Sequence, residues 1–323
     1  DLETDDFFEA TVTQPLIDQS MNFVVFEIRM NQSEVAWVVD KGLYKREVVQ
    51  GWTTSEPPPE MPFDSIETKA AWRIIPDDMP EAQKERYYRR KSTIVLSPEH
   101  VEGSTSTDPV CLERTLGLIG LHINHNGLWS TFEQVDNVKA VDGYGPTLYN
   151  ADCQDCEVNQ PPKHPDGTPV APAEYKWTQT GASASLYAGF QNVPSQIQRT
   201  PNQEEANPKL NDFFRNQVLA GTVWQHYHLI TTNWVELPPV SQPNPALNTS
   251  LEPYLPGNTK FQQACLDCHE LAKNANGVAM ANTFLVFRAC PEQSVDDATA
   301  SKLPPNCVVQ GSTPGIDTLA ALY

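Results

Sequence analysis

Near one end of the chain stands Cys265-Leu266-Asp267-Cys268-His269. Two thiols three residues apart on one helical turn can reach both vinyl groups of a single porphyrin as thioethers. The adjoining imidazole then meets the iron from the same side, which is why Cys-x-x-Cys-His is the attachment spacing of c-type haem. A zinc site would call for a second ligand pair at matching spacing, and the other close pair, Cys153 and Cys156, is followed by Glu157. A thioredoxin-like motif would open a helix inside a βαβ unit, and no such pattern surrounds these residues. The spacing predicts one covalent haem c, with Cys265 and Cys268 as thioether links and His269 as the proximal iron ligand.

A haem iron has a second face. No histidine follows His269, and Met280 is the only methionine beyond the motif. On a continuous helix Met280 would lie about 16 Å further along, at about 1.5 Å per residue, and could not cross to the distal side without a sharp reversal. The turn signal at Asn274–Gly277 permits one. Otherwise the ligand comes from upstream, where the chain offers His100, His122, His125, His164, His226, His228, Met21, Met30, Met61 and Met79. His122 lies in an apolar strand, where an unpaired imidazole is costly; it reads either as a ligand or as a core histidine satisfied by a carbonyl. His228 alternates with Tyr227 and His226, and both histidines share a face if that segment is extended. His122, His228 and Met280 are the distal candidates.

These residues need a scaffold. Residues 1–150 read as a β-rich body. Strands are expected over 23–31, 66–75 and 87–96, from their density of β-branched and aromatic residues and their alternation, with a short amphipathic helix over Glu34–Leu43. Leu116–Asn124 and Trp129–Val135 flank Asn126-Gly127, a strong hairpin signal because both residues tolerate positive φ. Gly117 and Gly120 inside the first arm mark either a bulge or close approach by something bulky, the porphyrin included. Residues 151–323 read as a loop-rich and helical haem-binding part sharing one core with the body. Its helices are expected over Asn211–Val223, with Phe213, Phe214, Val218 and Leu219 near one face, and over Thr259–Ala272 around the haem motif. The fold class is therefore α+β: an antiparallel β-rich body with an irregular, mainly helical C-terminal part carrying one covalent haem c.

Composition narrows the partners. The formal net charge is −19, from 41 acidic and 22 basic residues. Nucleic acid and anionic membrane would be repelled, whereas a partner with a basic docking face would be attracted; the charge also serves solubility alone. No apolar run is long enough to span a bilayer. The opening Asp-Leu-Glu-Thr-Asp-Asp reads as a processed end, and covalent haem attachment places the expected location in the periplasm or outside the cell. Five of the seven cysteines lie outside the haem motif. Cys290 and Cys307 bracket a Pro-containing loop and form a candidate disulfide, and Cys111 with Cys153 or Cys156 is a second pairing; connectivity is not fixed by sequence.

Several stretches together carry a resemblance. They are Ile66-Glu-Thr-Lys-Ala-Ala-Trp-Arg73, Leu116-Gly-Leu-Ile-Gly-Leu-His-Ile123, Trp129-Ser-Thr-Phe-Glu-Gln-Val-Asp-Asn137 and Asn248-Thr-Ser-Leu-Glu-Pro-Tyr254 ahead of the haem motif. From about Asp18 to Phe287 the chain resembles large exported bacterial monohaem proteins of the cytochrome c family. It departs from them at His125-Asn126-Gly127, where a longer basic insert is expected, and those proteins often carry further sequence ahead of this part. The resemblance implies an exported monohaem protein and supplies no reaction.

Three functions compete. One-electron transfer with a protein partner fits a single haem and an acidic surface. A haem enzyme of peroxidase or oxygenase type, or a gas sensor, would need an open sixth position and a distal acid–base group. His122 with Glu133 across the hairpin is the pair to inspect, against Glu133 as an ordinary solvent-facing carboxylate. A haem-bearing structural subunit that self-assembles is the third.

Overall fold

The computed structural model describes residues 14–125, 128–139, 143–178, 186–187, 190–191, 193–199, 208–232, 247–254 and 273–278. Its body is one antiparallel sheet. Strand β1 (Val25–Met30) leads into helix α1 (Gln32–Asp40) and the short α2 (Arg46–Gly51). Then come β2 (Ile66–Ile74), one turn of α3 (Glu81–Lys84), β3 (Arg89–Leu96), the long β4 (Val110–His125) and β5 (Leu128–Gln134). Two-residue strands β6 (Leu186–Tyr187) and β7 (Phe190–Gln191) pair with each other, and α4 (Pro208–Phe213) precedes the last strand, β8 (Tyr227–Thr232).

The main sheet runs β1-β2-β4-β5-β8, with β3 paired to the first half of β4. The expected hairpin is β4–β5, whose last pair is His125 with Leu128; the intervening Asn126 and Gly127 lie outside the described residues. Strand β4 is longer than its apolar run suggests because Val110–Gly117 pairs with β3 before the rest reaches β2 and β5.

Both sheet faces are covered, and β1 shows the alternation that requires it. Val25 joins a core with Trp72, Leu116, Leu118 and Tyr227, closed over by Tyr175 and Trp177. Its neighbour Phe26 joins the opposite core with Ala71, Ile119 and Tyr87, closed over by Leu148, Ile197, Leu251 and Tyr254. Segments far along the chain thus complete both layers. Arg73 with Asp18 at 3.1 Å and Arg86 with Asp136 at 2.7 Å are buried ion pairs tying loops to the sheet.

Several expectations need correction. Helix α1 begins before Glu34, because the Asn31 side chain accepts from the Glu34 amide as N-cap, and it stops at Asp40 rather than Leu43. The helix expected over Asn211–Val223 is α4 followed by a wider π turn over Phe214–Val218. Its apolar residues do not face a core: Phe213 and Val218 are 47% and 53% exposed. Cys111 is free and exposed, while Cys153 and Cys156 are disulfide-bonded to each other, which removes the Cys111 pairing.

Candidate functional site

Cys265, Cys268, His269, Met280, Cys290 and Cys307 all lie outside the described residues. Residues 247–254 before the Cys265–His269 stretch and 273–278 after it are described, and both are held to the body.

Upstream, residues 247–254 lie on the β4–β5 hairpin. Asn248 Nδ2 donates to the Phe132 carbonyl at 2.7 Å and to Thr131 Oγ1 at 3.1 Å. The Thr249 amide and hydroxyl both donate to Glu133 Oε2 at 3.0 Å. Here the glycine signal finds its cause. A Cβ on Gly120 would collide with Ser250 Oγ and lie 2.9 Å from Asn248 Oδ1, so only glycine lets this turn approach the strand. A bulge is present as well: the β2–β4 register slips between Ala71 and Trp72, passing over Ile119. The bulky neighbour at Gly120 is protein. At the other end of the segment, the Tyr254 hydroxyl donates to the Pro15 carbonyl at 2.7 Å.

Downstream, residues 273–278 are bound to α2 and the residue after it. Asn274 Nδ2 donates to the carbonyls of Val49 and Trp52 at 3.0 and 2.9 Å. The Ala275 amide donates to Gln50 Oε1 at 2.7 Å, and Asn276 Nδ2 donates to the carbonyls of Gln50 and Trp52 at 2.9 Å. The segment itself is a tight reversal. The Asn274 amide reaches the Val278 carbonyl at 3.0 Å, and Gly277 takes a φ of +76°, which glycine adopts without steric cost.

The two described histidine candidates are both engaged. His228 on β8 is buried, with Nε2 at 2.9 Å from an Arg199 guanidinium nitrogen and 3.5 Å from Glu133 Oε1. Glu133 is fully buried rather than solvent-facing. It pairs with Arg199 in a close contact and is held down to about 2: burial opposes ionisation, but Arg199, His228 and the Thr249 amide together outweigh it. His122 stands opposite Thr131. Its Nε2 is 3.2 Å from Glu252 Oε1, and its ring meets Trp129 edge-on at 5.7 Å. The expected His122–Glu133 pair is therefore replaced by two others, His122–Glu252 and His228–Glu133–Arg199. A shallow cleft beside them is lined by Asn159, Gln198, Arg199, Asn248 and Glu252. Arg199 and Glu252 were missed in the sequence: Arg199 sits in no motif, Glu252 lies in the Asn248–Tyr254 stretch without a role of its own, and only the fold brings them to the hairpin.

The α1–α2 corner carries a different chemistry. Trp37, Val38 and Leu43 form a small core, with Met30, Tyr44, Val48, Trp52 and Met61 partly buried against it. Glu34 lies on the same helix face as Trp37 and Val38 and is fully buried. Neither carboxyl oxygen of Glu34 has a hydrogen-bond partner, nor has Trp37 Nε1. The reason lies partly in β2. A glutamate three residues after an Asn N-cap would ordinarily reach back to the cap's amide, but the Asn31 amide donates to the Ile66 carbonyl at 2.9 Å. Burial without compensation pushes Glu34 up to about 7.

Among the described residues no group of His, Cys, Asp and Glu is arranged to hold a metal ion, and no helix is long and apolar enough to cross a membrane. Comparison with known proteins finds no match among family models, curated proteins or solved structures.

Proposed function

We propose that the chain is an exported monohaem c-type cytochrome that exchanges single electrons with a protein partner. The observation that carries this reading is the Cys265–His269 spacing, which joins two thioether links to an iron ligand in five residues. The anchoring of residues 247–254 and 273–278 supports it, because a haem attached between them is held against the body from both sides. When bound, the haem supplies a one-electron iron couple whose potential its ligands and surroundings set. Of the chain's own residues, Cys265 and Cys268 would hold the haem through thioether links and His269 would ligate its iron.

On this reading Met280 would supply the second iron ligand. The reversal at Asn274–Val278 supplies the turning back that Met280 requires, whereas His122 and His228 already face Glu252 and Glu133–Arg199. An acidic surface suits a docking partner with a basic face and repels nucleic acid.

The test is spectroscopic. The full chain is produced with periplasmic haem maturation and its absorption and electron paramagnetic resonance spectra are recorded, with carbon monoxide added to the reduced protein. Covalent haem, a low-spin spectrum indifferent to carbon monoxide and a weak near-infrared sulfur-to-iron band are expected. Met280→Leu should abolish that band, whereas His122→Ala and His228→Ala should leave it in place. A protein that takes up no haem rules the reading out. A high-spin ferric signal with rapid carbon monoxide binding replaces electron transfer with an enzyme or sensor.

A further inference from the structure

We infer that the Cys153–Cys156 disulfide is a thiol–disulfide exchange site, which takes two electrons from a dithiol on a partner with a basic face. The inference stands apart from the haem c reading. Every residue that carries it lies in the loop over residues 150–159, in residues 196–198 that close the loop, or at Lys163 beside it, all of them described.

The first support is that the fold does not need this bridge. It joins residues three apart, so it ties no distant segments together and closes the kind of short loop from which a disulfide gains least. The loop's base is closed without it. The Asn150 amide donates to Gln196 Oε1 at 3.1 Å, and Gln196 Nε2 donates back to the Asn150 carbonyl at 2.9 Å. On the other side the Asn159 amide and Nδ2 donate to the carbonyls of Gln196 and Gln198, and the Gln198 amide donates to Asn159 Oδ1, each at 2.8 Å. These hydrogen bonds hold both ends of the loop in either redox state, so the sulfurs can part without unfolding the body.

The second support is access. Cys156 is exposed and Cys153 half-buried, and Asp152, Gln154, Asp155 and Glu157 around them are exposed too. Exposed disulfides are the reducible ones, whereas structural bridges resist thiols. Attack therefore falls on Cys156 Sγ. A partner thiolate forms a new S–S bond there as the Cys153–Cys156 bond breaks, and Cys153 leaves as a thiolate that takes up a proton. The partner's second thiol loses its proton and attacks the partner sulfur of the mixed disulfide, and Cys156 leaves and is protonated. Two electrons and two protons pass to this chain, and the partner ends as a disulfide. A lone thiol cannot finish the exchange, because Cys153 stands three residues away to reverse the first step. The third support is charge. Glu157 is paired with Lys163 at 2.7 Å, but among the described residues Asp152 and Asp155 have no ion pair. Their carboxylates repel an anionic thiol and draw a partner whose dithiol is set among basic residues.

Two measurements on the full chain test the site. In the first, the protein is treated with dithiothreitol in native buffer, quenched with iodoacetamide and digested, and alkylated cysteines are read by mass spectrometry. Cys111, free and exposed, is labelled throughout and serves as the internal standard. Cys153 and Cys156 should become labelled together, as fast without urea as with it to within a few fold, and oxidised dithiothreitol should restore their bond. A bridge that opens only in urea is structural and overturns the exchange site. Only the peptide bearing these two cysteines is read, so the outcome is the same whether or not the chain carries haem. The second measurement follows the rate with charged dithiols. Cationic dithiobutylamine should slow as salt rises, and anionic dimercaptosuccinate should quicken. Asp152→Asn/Asp155→Asn should flatten both slopes, whereas Asp77→Asn/Asp78→Asn, an exposed pair elsewhere with the same loss of charge, should leave them steeper. Equal slopes in the two variants would mean that the loop's carboxylates do not select the partner, and would overturn its basic face.

Discussion

Glu34 shows how one residue can be stable in place and still cost the fold. Its carboxyl is buried without partners and titrates near 7, against an ordinary value of 4.5. In the folded chain it keeps its proton; in the unfolded chain it loses it from about pH 4.5 upward. The unfolded state thus binds fewer protons across that interval, and stability falls as pH rises from about 4.5 to about 7. The loss is on the order of 3 kcal/mol, since each pH unit separating the two values is worth about 1.4 kcal/mol. Glu34→Gln mimics the protonated form. Urea unfolding at pH 5 should barely distinguish the variant from the parent, whereas at pH 8 the variant should be more stable. Equal stability at both values would mean that the parent ionises freely in its folded state. Glu133 is the opposite case. Being held down to about 2 by Arg199, His228 and Thr249, it stays ionised throughout the working range. Arg199→Met should strip its main counter-charge and cost about 3–5 kcal/mol, read as a lowered urea midpoint.

At the scale of elements, the β4–β5 hairpin and the turn over it form one unit. Gly120→Ala would place a methyl against Ser250 and Asn248. The expected outcome is a loss of about 1–3 kcal/mol with faster proteolysis around residues 247–254, since the turn must lift for the methyl to fit. Gly117→Ala would instead press on Ile75 and Tyr87 in the core, so its loss should appear without new cleavage at 247–254. The alternation of 23–31 and 66–75 and the Asn-Gly hairpin were legible in the sequence, because each is a local pattern with one physical cause; at Gly117 and Gly120 the sequence left a bulge and close approach both open, and the structure has both at Gly120. The first half of β4 was not, since Val110-Cys111-Leu112-Glu113-Arg114-Thr115 carries charge at its exposed edge and pairs with β3 only through the fold. The exposure of Phe213 and Val218 was not legible for a related reason: apolar residues on one face signal burial only if another layer arrives to cover them. The Glu34–Trp37 pair gave no signal either, because an Asn-x-x-Glu start reads as an ordinary capped helix until β2 claims the cap's amide.

At the scale of the whole molecule, charge governs encounters. A formal −19 surrounds the protein with a negative potential that attracts cations and repels anions, over a Debye length of about 8 Å at physiological salt and about 30 Å at 0.01 M. If the chain carries the proposed haem and it exchanges electrons near that surface, small reagents should sense the field before any specific docking does. Reduction by a cationic complex such as hexaammineruthenium(II) should slow as salt rises, and reduction by anionic ascorbate or dithionite should quicken. A change of roughly tenfold or more between 0.01 and 0.5 M ionic strength lies within the range of electrostatic steering. The opposite slopes are the decisive feature, because a change in the haem's own reactivity would move both rates in the same direction. Stopped-flow measurement at several salt concentrations separates the cases. Two slopes of opposite sign place the electron's exit under the acidic field and favour a partner with a basic face. Two flat lines place the haem edge outside that field, and the net charge then serves solubility alone.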